Sequence, residues 1–242
     1  MALYASNNDL FCVFSFPSCS WLISHLSDSI YNSAEVKEWI FRLTSLFCSF
    51  LVWGFGLSLA TSRYWRIWEF NSKALPLLYI GLWEAYYYQE VNNSGSITRV
   101  PVYSAMNSNW TISIELEYAR GLIILSNFMQ PVVLIFTSGA IMVHWIRAPY
   151  PDFMILCYKT SVLFLIFNII CTVLAVSLNH LVDIYGQSTL DFPLTFPVSK
   201  KDLIRKQQTH VLPLGMLTAV LSVVSIITLF YEMWSIIKQR PQ

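Results

Sequence analysis

The stretch Arg63-Tyr64-Trp65-Arg66-Ile67-Trp68-Glu69-Phe70, continued by Tyr79-Ile80-Gly81-Leu82-Trp83-Glu84-Ala85-Tyr86-Tyr87-Tyr88-Gln89, decides the fold. It follows directly on an apolar run of membrane length, Leu43 to Thr61, yet it alternates like a strand instead of continuing a helix. Two strands joined across Asn71-Ser72-Lys73-Ala74-Leu75-Pro76 make a hairpin. The spacing predicts Tyr79, Trp83 and Tyr87 on one face and Tyr86 and Tyr88 on the other. One face is then available as core and the other as a contact surface.

With 55% hydrophobic and 12% charged residues among 242, the chain is too apolar for a water-soluble domain, which carries roughly 25% charge. Besides Leu43 to Thr61, the runs Gly121 to Val143, Ser161 to Val182 and Val211 to Tyr231 reach the roughly 20 residues that cross about 30 Å of hydrocarbon. Four spans are therefore predicted, at about 43–61, 121–143, 161–182 and 211–231. Loops 62–120, 144–160 and 183–210 separate them, the first long enough to fold by itself. The formal net charge of +1 supplies no basic stripe to neutralise phosphates, so no nucleic-acid partner is expected.

Residues 1–38 begin with Ser6-Asn7-Asn8-Asp9 and continue into a moderately apolar stretch broken by Pro17. Without a basic leading region or a small-residue cleavage site it does not read as a signal peptide. It is also short for a span, so it is expected to be an interfacial or disordered extension. Cys12, Cys19, Cys48, Cys157 and Cys171 leave the long loop without a cysteine, and none has metal-site spacing. Pro131 should kink the second span, with Ser126, Asn127 and Gln130 nearby to meet the freed backbone groups.

A membrane enzyme needs acids, bases or thiols converging inside the bundle. The predicted spans offer His180 at a membrane end, which reads as a structural residue. A Gly-rich phosphate loop, a Ser-His-Asp grouping and a metal constellation are all lacking in the sequence. No catalytic residue, cofactor or metal is expected. A carrier would mark its midplane with polar residues on paired segments, and Asn127 and Asn168 are isolated.

Two signals disagree on orientation. Most of the 15 Lys and Arg residues lie in loops 62–120 and 183–210, which by the positive-inside rule would be cytoplasmic. The glycosylation sequons Asn92-Asn93-Ser94 and Asn109-Trp110-Thr111 both fall in the long loop and point it outward. Charge counting loses force for a loop of this length.

Trp65, Gly81-Leu82-Trp83 and the entry Glu117-Tyr118-Ala119-Arg120-Gly121-Leu122 resemble the claudins, tetraspan proteins of tight junctions, from about Trp39 onward. The order of span, Trp, Gly-Leu-Trp, Ala-Arg, span, span, short loop and span carries the resemblance. It implies a left-handed four-transmembrane-helix bundle with a small extracellular antiparallel β-sheet, taking four strands from loop 62–120 and one from loop 183–210. The runs Ile97 to Tyr103 and Trp110 to Ile114 read as strands independently. The family further implies a structural, adhesive protein of the plasma membrane at cell–cell junctions. Its partners would be membrane lipid and other claudin-like molecules, in cis and in trans, as homo- or hetero-oligomers. The second loop's Phe192-Pro193-Leu194-Thr195-Phe196-Pro197 would carry the adhesive side chains, Phe192 and Phe196 held by the two prolines; the alternative is a turn folded down on the sheet.

The chain also departs from that pattern. Tyr86 stands where the family places its first loop cysteine, and no cysteine follows until Cys157. The family disulfide, typically contributing about 2–4 kcal/mol, is therefore absent. Packing of Trp65, Trp68, Trp83 and the tyrosines is expected to replace it. The ending Arg240-Pro241-Gln242 lacks the hydrophobic carboxyl terminus that engages PDZ scaffolds, and none is expected as a partner. The acids Glu69, Glu84, Glu90, Glu115 and Glu117 equal the long loop's bases in number, giving no net field for ion selection. An auxiliary subunit of an ion channel or receptor is the alternative function.

Overall fold

A computed structural model describes residues 17–72, 75–93, 96–106, 110–146, 150–186, 188–193 and 196–238. The chain divides into two compact units, Met1–Phe41 and Arg42–Gln242. In the first, residues 17–41 are helical and belong to α1 (Pro17–Thr61), with proline at the start, where its missing N–H costs nothing. The expected extension is thus helical from Pro17 onward, and residues 1–16 lie outside the described residues.

In the second unit α1 continues into β1 (Arg66–Phe70), β2 (Leu77–Ile80), β3 (Glu84–Asn93) and β4 (Ser96–Ala105). Then come α2 (Ile114–Trp145), α3 (Pro151–Tyr185), a 3-10 turn (Lys200–Asp202), β5 (Leu203–Gln207) and α4 (Val211–Lys238). Four helical segments, Trp39–Thr61, Ile114–Trp145, Pro151–Tyr185 and Val211–Lys238, are long and apolar enough to cross a membrane, which marks a multi-pass membrane protein. They overrun the predicted spans. At 1.5 Å per residue, α3, with 35 residues, reaches about 50 Å, well beyond the hydrocarbon thickness. The surplus turns carry polar groups that hold the sheet.

The helices pack in a closed circuit. Asn127 of α2 donates to the Gly56 carbonyl of α1 at 3.1 Å. Ser126 lies 3.0 Å from Thr172 of α3, and Thr137 donates to Ser161 at 3.2 Å. Leu229 of α4 packs with Tyr158, Val162 and Leu165 of α3. Ser225 of α4 closes the circuit against Ser45 and Ser49 of α1 at 3.2 and 2.8 Å. Small hydroxyl residues let membrane helices approach closely while satisfying their own polar groups. Further along the same α1–α4 seam, Arg42 and Glu232 form an ion pair of 2.5 Å, both buried. Predicted spans ending at Leu43 and Tyr231 had left each just outside.

The strands form one antiparallel sheet in the order β4-β3-β2-β1-β5. The β1–β2 hairpin and the strand contributed by the second loop agree with expectation. Two details differ. Trp110 to Ile114 is no strand: only a single bridge, Thr111 to Asp191, forms before α2 starts at Ile114. Glu115 and Glu117 favour that helical start by complementing the positive end of the helix dipole. The tyrosine faces also differ, because a turn at Gly81-Leu82-Trp83, closed by Gly81 N–H donating to the Glu84 carbonyl at 2.9 Å, resets the alternation. Tyr79 pairs in register with Tyr86 on the outer face, while Tyr87 is buried on the inner one.

Candidate functional site

The candidate site is the joint between sheet and bundle, with the two faces of the sheet above it. Its first part is the end of α1. The last four carbonyls of a helix have no partner within it, and two tryptophans supply donors here. Trp65 Nε1 donates to Leu59 O at 2.9 Å and Trp83 Nε1 to Ala60 O at 2.7 Å. Gly81 is required by close approach. A Cβ there would lie 2.9 Å from the Ser62 carbonyl and 3.0 Å from Arg63 Cα, both backbone. Leu82 is buried, and Arg120 of α2 donates to its carbonyl and to Met106 Sδ at 3.4 Å. The Arg120 guanidinium also lies over the Trp83 ring, 5.5 Å from its centre. Thus the Gly81-Leu82-Trp83 turn and Arg120, far apart in sequence, meet in one knot, and Trp65 closes the same helix from beside it.

Of the three tryptophans expected to pack the sheet, two are sealed and one is partly open. Trp65 and Trp68 are 2% and 0% exposed, whereas Trp83 is 44% exposed. Proximity to a span does not mean a place in the interface, because the alternation of β1 turns Trp68 to the buried face of the sheet. Trp83 lies at the junction of strand and helix, its N–H bound and its ring partly open.

Beneath β1 is a charge cluster that sequence reasoning missed. The alternation that buries Trp68 and Phe70 also points Arg66 inward, at 0% exposure. Its guanidinium donates to Asn179 Oδ1 of α3 at 2.8 and 3.0 Å, to Ser188 Oγ at 2.6 Å and to Glu115 Oε1 of α2 at 3.0 Å. Asp183 of α3 lies 3.8 Å from the same guanidinium, accepts from Trp68 Nε1 at 3.0 Å and faces Lys206 of β5 at 4.0 Å. Lys206 also donates to the Asp183 carbonyl. A desolvated arginine is tolerable only when paired and hydrogen-bonded, and here it is paired and each of its three nitrogens donates. The signal in the sequence was the two-residue period Arg66, Trp68, Phe70, which puts a charge on a buried face.

The second loop closes the inner face. Phe192 and Phe196 stack with ring centres 4.8 Å apart. Phe192 packs against Trp68, Phe70 and Trp110 at 5.9, 5.9 and 5.7 Å, and Phe196 against Tyr87 and Trp110 at 5.3 Å each. The turn is held by Phe196 N–H donating to the Pro193 carbonyl at 2.9 Å. Phe192, Pro193 and Phe196 are half-buried and Pro197 is exposed. Of the two alternatives the sequence left open, the turn folded down on the sheet is the one present. The rings expected to project as adhesive side chains lie against the sheet, since the inner aromatic wall offers more contact than water.

The outer face carries Tyr64, Tyr79, Tyr86, Tyr88 and Tyr103 in a continuous row of ring contacts between 5.0 and 5.8 Å. A hydrogen bond with Tyr88, and then loss of hydration, pushes the Tyr86 phenol up to about 12. Arg63 lies over the Tyr103 ring at 4.9 Å and pairs with Glu84 at 2.5 Å, which raises its pKa further. Arg99 pairs with Glu90 at 3.0 Å. Asn92 belongs to β3, and Asn109 lies outside the described residues.

Among the described residues no group of His, Cys, Asp and Glu could hold a metal ion. The joint binds sheet to helices and presents surfaces. No family model matches the chain, and no curated protein matches it either.

Proposed function

We propose that this protein is a claudin-like structural and adhesive molecule of the plasma membrane, assembling side by side in one membrane and face to face between cells at tight junctions. In this reading it contributes to a paracellular barrier and has no enzymatic activity. One observation carries the reading: a five-stranded antiparallel sheet is fixed to the first two of four candidate spans through the knot of Gly81, Leu82, Trp83 and Arg120, the residues on which the resemblance rests. Loops 62–120 and 183–210 are extracellular and both termini cytoplasmic, an orientation supported by the two sequons in the long loop.

The test is expression in a claudin-poor epithelial line, with transepithelial resistance and dilution potentials measured together. Enrichment at contacts between expressing cells with raised resistance is the expected result. Uniform surface distribution with unchanged resistance overturns the junctional reading.

A second reading, an auxiliary subunit of a channel or receptor, is favoured by the inward packing of Phe192 and Phe196. It removes side chains that would reach across to another cell, while the tyrosine face stays open for a neighbour in the same membrane. Stoichiometric co-purification with a channel, lost on Tyr79→Ala with Tyr103→Ala, distinguishes it.

A further inference from the structure

Among the described residues, the middle of the bundle holds more buried hydrogen-bond acceptors than donors to meet them. Gln130 of α2 is 1% exposed, and both its amide atoms are buried without a protein partner among the described residues. Asn168 of α3 donates its Nδ2 to the Ser126 hydroxyl at 2.7 Å and the Ser126 carbonyl at 3.2 Å, and its buried Oδ1 meets no donor. Asn127 sends its Nδ2 to the carbonyls of Gly56 and Ile123 at 3.1 and 2.9 Å, and its buried Oδ1 is likewise unmet. Pro131 adds a fourth acceptor. It has no N–H to return to the Asn127 carbonyl one turn back.

These groups share one layer. The contacts of Ser126 with Asn168 and Thr172 form one rung between α2 and α3, and the Thr137–Ser161 bond forms the next. Gln130 lies on α2 between the residues of the two rungs, as Leu165 does on α3. The bond from Asn127 to Gly56 brings α1 to the same level.

We propose that this layer of Gln130, Asn127 and Asn168 is a binding site for ordered water within the bundle. The acceptor excess selects the ligand. A water molecule supplies two donors to the amide oxygens and accepts from Gln130 Nε2, whereas an anion would be repelled by the same oxygens. A cation would enter a layer without a carboxylate to offset its charge, which a low-dielectric interior penalises heavily. Buried waters typically bridge polar groups that the protein leaves unmet, and freed backbone groups at membrane prolines are met in the same way. Water here would let α2 bend at Pro131 while each freed group keeps a partner.

The test uses the full chain in lipid nanodiscs, irradiated in 18O-labelled water so that hydroxyl radicals form from bound molecules, with the labelled side chains read by mass spectrometry. Leu165 is sealed from solvent, as is Leu78 on the inner face of the sheet. The expected result is 18O on Leu165 and none on Leu78, with the Leu165 label lost in Gln130→Met combined with Asn168→Leu. An unlabelled Leu165, or the same label in the double variant, overturns the proposal. If the double variant does not fold, the melting temperature of Gln130→Met alone decides. A dry orphaned amide predicts that its removal raises the melting temperature or leaves it unchanged, which overturns the proposal; a bridged amide predicts a fall.

Discussion

Trp65 and Trp83 close the same end of α1, their indole N–H groups donating to the adjacent carbonyls of Leu59 and Ala60 at 2.9 and 2.7 Å. The two bonds are alike, but one ring is sealed and the other partly open, so the two positions separate packing from capping.

Trp65→Ala should cost about 3–5 kcal/mol, the range for emptying a large aromatic site in a core. Trp83→Ala should cost less, and Trp83→Phe only about 1 kcal/mol, the net value of its hydrogen bond. Thermal unfolding of purified protein and surface delivery in cells measure both. Equal losses at the two positions would contradict the burial difference.

Arg66→Met leaves Glu115 and Asp183 facing each other without their shared cation, so a loss of about 3–5 kcal/mol is expected. Adding Glu115→Gln and Asp183→Asn should restore part of that stability, because the stranded charges are then gone. A triple variant less stable than the single one would show that the cluster acts through geometry and not through charge. Denaturant or heat unfolding in detergent gives the comparison.

The sheet register offers a substitute for the missing disulfide. Tyr86 faces Tyr103 across β3 and β4, whereas Val100 faces Gln89. Directly opposed residues bring their Cβ atoms to about 4.5–5.5 Å, close to disulfide geometry. Tyr86→Cys with Tyr103→Cys should oxidise spontaneously and stabilise the sheet by about 3 kcal/mol. Tyr86→Cys with Val100→Cys should remain reduced. Free-thiol counts and melting temperatures with and without reductant check both pairs.

Phe192→Ser with Phe196→Ser should destabilise the sheet by about 2–4 kcal/mol through lost burial and lost aromatic contacts. The effect should appear as intracellular retention and faster extracellular proteolysis. Normal surface delivery together with weakened cell contact would instead return these rings to an adhesive role.

The helices were legible because an apolar run of membrane length has few alternatives, and β1 was legible from the period of Trp65 to Phe70. What escaped depended on parity and on partners distant in sequence. A three-residue turn at Gly81-Leu82-Trp83 moved Tyr79 to the outer face, and such a turn leaves no trace in a pattern read as one continuous strand. The burial of Arg66 depends on Asn179, Glu115 and Asp183, which converge on it from two other elements. Arg42 and Glu232 sat at the borders of apolar runs, where a hydropathy reading stops and a helix does not. The knot of Gly81, Leu82, Trp83 and Arg120 was visible as a motif, but its purpose, to cap α1 and seat the sheet, required coordinates.

The place of β1 between β2 and β5 has a consequence for biosynthesis. Its partner on one side, β2, follows within a few residues, while β5 is separated from it by the intervening hairpin and two membrane helices. At about 5–20 residues per second of translation, roughly 130 residues of delay correspond to about 7–26 s. Throughout that interval one edge of β1 presents unpaired backbone groups, the form of edge that recruits foreign strands. A nascent chain stalled before β5 would therefore expose a ready template for a chaperone, or for another copy of itself.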